Sequence, residues 1–202
     1  MWQFLSNLFD SPLGGASVSS NPSVSDKVRH IEAHLDNRCQ FPSARQDPNL
    51  FNLVDWNLSS DGKMTGPIYL GSASSLTNPE FTDHLGAVLS IIDDRLPKAQ
   101  VQEYLAPNTA HMYIALDDHP SENISKYFEQ AAQFIKYHQD RGVPVLIHCM
   151  AGMSRSSTLA AYYLMKKYNI NAITALDLLK KRRPIVRPNQ GFIQHLVHQE
   201  KK

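Results

Sequence analysis

Two apolar runs, residues 112–116 and 143–148, enclose a stretch in which Ile124, Phe128, Ala131, Phe134 or Ile135, and His138 recur at intervals of three and four. Gly142 stands where such a helix would have to stop. A strand, a helix and a second strand in that order make the two strands parallel, because a hairpin cannot join parallel strands and a crossover helix can. The right-handed crossover then covers one face of the sheet. Apolar runs at 68–71 and 87–92 read as two further buried strands. After His148 the pattern is helical over 156–168, 172–183 and 190–199, the second of these ending before Pro184. Residues 63–202 are therefore expected to form an α/β unit: a central, mostly parallel sheet flanked by helices, with ligands at the carboxyl ends of the strands.

Residues 1–62 have a different texture and read as an N-terminal extension. The first 25 contain seven serines with Gly14-Gly15, Pro12 and Pro22, a composition that buries too little surface to fix a conformation. Met1, Trp2, Phe4, Leu5, Leu8 and Phe9 offer a second reading, a short apolar helix docking on a partner, a membrane surface or another subunit. Ser25 can cap a helix with Val28, Ile31 and Leu35 on one face, ending near Asn37. Between Cys39 and Lys63 the turn formers Pro42, Asp47-Pro48, Asn52 and Asp61-Gly62 point to a loop, with Trp56 as a buried anchor.

Composition excludes several classes. The chain of 202 residues is 42% hydrophobic and holds 20 basic against 19 acidic side chains, which fits neither a disordered chain nor a protein that coats polyanions. No apolar run reaches membrane-spanning length and no basic region opens a secretory signal, so a cytoplasmic or nuclear address is expected. Cys39 and Cys149 are too few for a disulfide framework and read as reduced thiols. The near-neutral total hides an asymmetry: residues 1–140 carry 9 basic and 17 acidic groups, whereas residues 141–202 carry 11 and 2. That basic third suits an anionic ligand, or simply forms a solvated face.

The chemistry concentrates in His148-Cys149-Met150-Ala151-Gly152-Met153-Ser154-Arg155-Ser156, at the end of the fourth strand and the start of a helix. Five residues between a strand end and a helix start can curl so that successive N–H groups face one cavity, a nest for an anion, with Gly152 allowing the bend. The same donors and the positive helix end would favour a thiolate at Cys149. Arg155 supplies a planar fork that matches two phosphoryl oxygens.

This run of a cysteine, five residues and an arginine resembles the signature of the cysteine-dependent protein tyrosine phosphatase superfamily, and its flanks resemble the small dual-specificity branch. Ile68-Tyr69-Leu70-Gly71-Ser72 is similar to that branch's opening strand, and Arg187-Pro188-Asn189-Gln190-Gly191-Phe192 to its closing segment. Nothing in the first 60 residues resembles the rhodanese-like domain of some members, which suggests the atypical type.

The resemblance implies a phosphorylated protein as partner, a cysteinyl-phosphate intermediate, and no metal or cofactor. Cys149 would be the nucleophile, residues 150–155 (Met150, Ala151, Gly152, Met153, Ser154 and Arg155) the phosphate-binding loop, and Ser156 the hydroxyl that helps the sulfur leave. The leaving oxygen needs an acid; Asp118 aligns with the family's acid, and Asp117 is the neighbouring candidate. His148 would tune Cys149 or bond into the core. Asn189 would brace the loop or cap the last helix. Arg183 would reach a second phosphate at the cavity mouth or belong to a solvated face. Met150, Met153 and Met165 are pocket wall and core filler. Loop positions 150–154 carry no lysine or arginine, which argues against phosphoinositides as substrates. The same residues would also suit an RNA 5′-phosphatase, although nucleic acid is not an expected partner, or a catalytically silent phosphoprotein reader. Oligomeric state is not legible.

Overall fold

The computed structural model describes residues 51–55 and 65–200. The expected helix from Ser25, Cys39, Trp56 and the apolar N-terminal segment lie outside the described residues. Five strands form one sheet in the order β1-β2-β5-β3-β4: β1 Phe51–Asp55, β2 Ile68–Ser72, β3 Ala87–Ile92, β4 Ala110–Ala115 and β5 Val145–Cys149. β2, β5, β3 and β4 run parallel, and β1 is antiparallel to β2. Every residue of β2, β3 and β5 is buried, as expected of parallel strands covered on both faces.

One face packs the helices α3 (Phe128–Gln139), α4 (Arg155–Tyr168), α5 (Ala172–Arg182) and α6 (Gln190–Gln199) against Leu70, Leu89, Ile91 and Ile147. The other holds a smaller cluster around Tyr69, Val88 and Leu146, closed by Phe51 and by two short helices, α1 (Pro79–Thr82) and α2 (Lys98–Gln102). α4 runs through the core, which is why its apolar stripe is so wide.

The expected strands and the last three helices lie where the periodicity puts them. The helix expected over 121–141 is shorter at its start: Ile124–Tyr127 is a 3₁₀ turn, and the α-helix begins at Phe128. Asn123 does not cap it, since its side-chain oxygen accepts instead from Ser125 Oγ at 2.6 Å. Gly142, at φ 76°, closes the segment in the left-handed region.

One expectation is overturned. Residues 51–55 lie in the stretch read as loop and ahead of residue 63, yet they form β1, a strand of the sheet. Asn52 counts as a turn former by type, but pairing with β2 and a buried Phe51 outweigh that local preference. Among the described residues no helix is long and apolar enough to cross a membrane.

Candidate active site

β5 lies between β2 and β3, so the chain connecting those two strands passes over it and leaves a crevice at its carboxyl end. Cys149 is the last residue of that strand, 1% exposed, and the chain then turns through residues 150–154 into α4 at Arg155.

The carbonyls of this turn all face away from the crevice. Met150 O accepts from Ala73 N at 3.1 Å, and Met153 O from Arg187 N at 2.9 Å and Ser157 Oγ at 2.6 Å. Ala151 O and Gly152 O accept from Arg183, and Ser154 O from Thr158 N and Oγ1. Among the described residues no N–H of 150–154 donates a hydrogen bond within the protein. In a trans peptide the C=O of one residue and the N–H of the next point in opposite directions, so these outward carbonyls turn the N–H groups of 151–155 inward, as in a nest. Gly152 sits at φ +64°, and a Cβ there would lie 2.4 Å from Gly71 O and 2.8 Å from Arg183 Nη2. Only glycine fits that space and that backbone.

Arg155 is 2% exposed, and its Nη1 donates to Asp93 Oδ2 and Leu116 O, both at 2.9 Å. Its buried Nε has no hydrogen-bond partner among the described residues and lies 3.9 Å from Asp118 Oδ2. Asp93 follows β3 directly and also receives Arg95 Nε at 2.7 Å and Nη2 at 2.6 Å. The Arg95 guanidinium, followed by the Arg95 amide and Arg155, holds the Asp93 carboxyl well below the ordinary carboxylate range against the opposing effect of burial.

Ser156 Oγ donates to Cys149 Sγ at 3.2 Å. Asp118 Oδ1 accepts from Ser154 Oγ at 2.7 Å and from Asn189 Nδ2 at 2.8 Å, while the Asn189 amide donates to Ser154 Oγ at 3.1 Å. Asn189 also caps α6, its Oδ1 accepting from Phe192 N at 3.0 Å. Asp117 is exposed and makes no hydrogen bond or ion pair with another side chain among the described residues.

His148, the strand neighbour of Cys149, is fully buried, with Nε2 2.7 Å from Ser90 Oγ, which in turn lies 2.9 Å from His111 Nε2. Burial first, then the nearby His111, pushes the His148 pKa down to about 3, and burial followed by Lys98 brings His111 to about 4. Both rings are neutral at pH 7. A single hydroxyl proton serves one ring nitrogen, so the two rings carry opposite tautomers.

The structure brings Cys149, residues 150–154, Arg155, Ser156, Asp118 and Asn189 to one crevice. It moves Arg183 elsewhere: the residue read at the cavity mouth or on a solvated face is 0% exposed and lies behind the loop. The loop's outward carbonyls need a donor there, and the bonds to Gly152 O, Ala151 O and Asn52 Oδ1 outweigh the solvation of a basic run. Asp93 and Ser90 were missed. A carboxylate at the carboxyl end of a parallel strand is the signal that singled out Asp117 and Asp118, and it applies equally to Asp93.

The model of the dual specificity phosphatase catalytic domain matches residues 68–202. The chain belongs to the dual-specificity phosphatase family. Human dual specificity protein phosphatase 6 is 31% identical over 195 residues, 94% of this chain but 47% of that protein, so the chain spans about half the length of that relative. Dual specificity protein phosphatase 14 of Bos taurus is 30% identical over 149 residues, covering 74% of this chain and 73% of that protein. Among solved structures, DUSP15 superimposes with a TM-score of 0.60 at 27% identity, over 66% of this chain and 82% of that one. Human DUSP28, at 22% identity and a TM-score of 0.60 over 72% of this chain and 92% of that one, shares the fold.

Proposed function

We propose that this chain is a protein phosphatase acting on phosphotyrosine and on phosphoserine or phosphothreonine through a cysteinyl-phosphate intermediate. The observation that carries the reading is the convergence around the Cys149 crevice of donors with no protein partner: the N–H groups of residues 150–154 and Arg155 Nε. Preorganised donors of this kind stabilise the charge that develops on three equatorial phosphoryl oxygens.

In the first step the Cys149 thiolate forms an S–P bond as the ester P–O bond breaks, and Asp118 gives its proton to the leaving oxygen. In the second, water adds to phosphorus as the S–P bond breaks, and its proton goes to the Asp118 carboxylate. Inorganic phosphate and the thiolate result. The Ser156 hydroxyl, already donating to the sulfur, stabilises the departing thiolate. Support for Asp118 over Asp117 comes from its bonds to Ser154 and Asn189, which hold it over the loop.

The test is a panel of phosphotyrosine, phosphoserine and phosphothreonine peptides assayed with wild type and variants. Cys149→Ser abolishes phosphate release, Asp118→Asn lowers kcat by about 10² to 10⁴-fold, and Asp117→Asn stays near wild type. Ser156→Ala accumulates a phosphoenzyme that acid quench traps. Equal activity across wild type, Cys149→Ser and Asp118→Asn refutes the proposal.

A further inference from the structure

The strand β1 lies ahead of the residues that match the family model, and its Asn52 meets Arg183, which bonds the phosphate loop. We infer that Asn52 is a positioning residue for that loop, acting through Arg183; the inference rests on the function proposed above.

Arg183 follows α5 and is 0% exposed. Its guanidinium donates from Nε to Gly152 O at 2.8 Å, from Nη2 to Ala151 O at 3.1 Å, and from Nη1 to Asn52 Oδ1 at 2.9 Å. The group is planar and rigid, so these three acceptors among the described residues act together on its place and its tilt. Two of them are the carbonyls at the apex of the loop. Planarity of the peptide links the Ala151 carbonyl to the Gly152 N–H and the Gly152 carbonyl to the Met153 N–H, each pair pointing in opposite directions. By holding those carbonyls outward, Arg183 aims two amides into the crevice. The third acceptor, Asn52, keeps the guanidinium from swinging out of that plane.

Asn52 can do this because its strand is anchored at both ends. Phe51 stacks on Phe81 with centroids 3.5 Å apart. Asp55, 1% exposed, accepts from Lys167 Nζ at 2.6 Å and Gln139 Nε2 at 2.9 Å, tying the strand to α4 and α3. Between these anchors Asn52 pairs with Leu70 of β2, two residues from Ser72, the partner of Cys149 in the sheet. The strand is thus a fixed post for Arg183. A purely structural strand would need the stacking and the Asp55 network, but not a side-chain oxygen at position 52.

The experiment compares Asn52→Ala and Asn52→Asp in the full chain. The readouts are kcat and KM on a phosphotyrosine peptide, inhibition by inorganic phosphate, hydrogen exchange of the 150–154 amides, and Tm. Asn52→Ala raises the inhibition constant for phosphate by about tenfold, the scale of one hydrogen bond to a charged group, lowers kcat/KM comparably, and speeds loop exchange. Asn52→Asp, which keeps an acceptor, stays within about twofold of wild type. Unchanged phosphate inhibition and loop exchange in Asn52→Ala, with only a lower Tm, overturns the inference, as does equal damage in Asn52→Asp. A wild type that hydrolyses no phosphomonoester defeats the proposed function instead, and the exchange rates still report whether Asn52 holds the loop.

Discussion

Asp93 is the residue whose removal separates the two jobs of one carboxylate. Its Oδ2 meets Arg155 Nη1 at 2.9 Å and Arg95 Nη2 at 2.6 Å, so the substitution Asp93→Asn, which keeps the shape and removes the charge, disturbs both. Arg95 has the shorter contacts and leads in holding the Asp93 pKa down, but its side chain is 68% exposed, and water screens most of what it gains. An exposed pair of this kind is worth at most about 1 kcal/mol. The side chain of Arg155 is 3% exposed, and without the Asp93 charge it keeps the Leu116 carbonyl on Nη1 and the more exposed Asp118 carboxylate 3.9 Å from Nε. Breaking a buried pair by removing one partner costs about 3 to 5 kcal/mol. At roughly 2–4 °C per kcal/mol for a domain of this size, Tm falls by about 6–20 °C. An Arg155 released from Asp93 also binds oxyanions less well, so phosphate inhibition weakens in parallel. Thermal unfolding and phosphate inhibition are measured on Asp93→Asn, Arg95→Ala and the double variant, with Arg155→Met closing a second cycle. Coupling above about 2 kcal/mol to Arg155 and below about 1 kcal/mol to Arg95 is expected. Equal couplings, or a Tm of Asp93→Asn within 2 °C or so of wild type, refute the reasoning.

Two further outcomes follow from the same geometry. Gly152→Ala forces a left-handed φ on an L-residue and drives its Cβ to 2.4 Å from a backbone oxygen, so stability falls by on the order of 3 kcal/mol and phosphate inhibition is lost, read by Tm and by the inhibition constant. His148 titrates at 6.5 when unfolded and near 3 when folded, so between those values the unfolded state binds more protons. Its contribution is complete above pH 6.5 and is lost as the pH falls, at about 1.4 kcal/mol per pH unit in the middle of the window. Urea unfolding of wild type and His148→Gln between pH 4.5 and 7.5 or so checks this, and identical slopes count against it.

Much of the parallel sheet is legible in the sequence, because its strands are continuous apolar runs and the crossover helix between β4 and β5 carries its own period. β1 is not, since its five residues, Phe-Asn-Leu-Val-Asp, include two turn formers, and its stability comes from β2 and from Phe81, neither of which is near in sequence. The site divides in the same way. Cys149, Gly152 and Arg155 fall within seven residues and follow from local spacing, whereas Ser156 is implied by the family resemblance. Asp93 reaches Arg155 across 62 positions and Asn52 reaches Arg183 across 131, distances that no pattern in one sequence spans.

The sequence by itself determined the class of the fold and which residues make up the loop, because both follow from residue types at short, fixed separations along the backbone. Only the tertiary structure decided the rest: which carboxylate holds Arg155, that Arg183 stands behind the loop rather than at its mouth, and that an edge strand completes its support. The physical reason is one of range. Backbone periodicity and turn chemistry act over a few residues, whereas the partner of a buried charge is set by whichever side chain the packed sheet and helices bring within 3 Å or so.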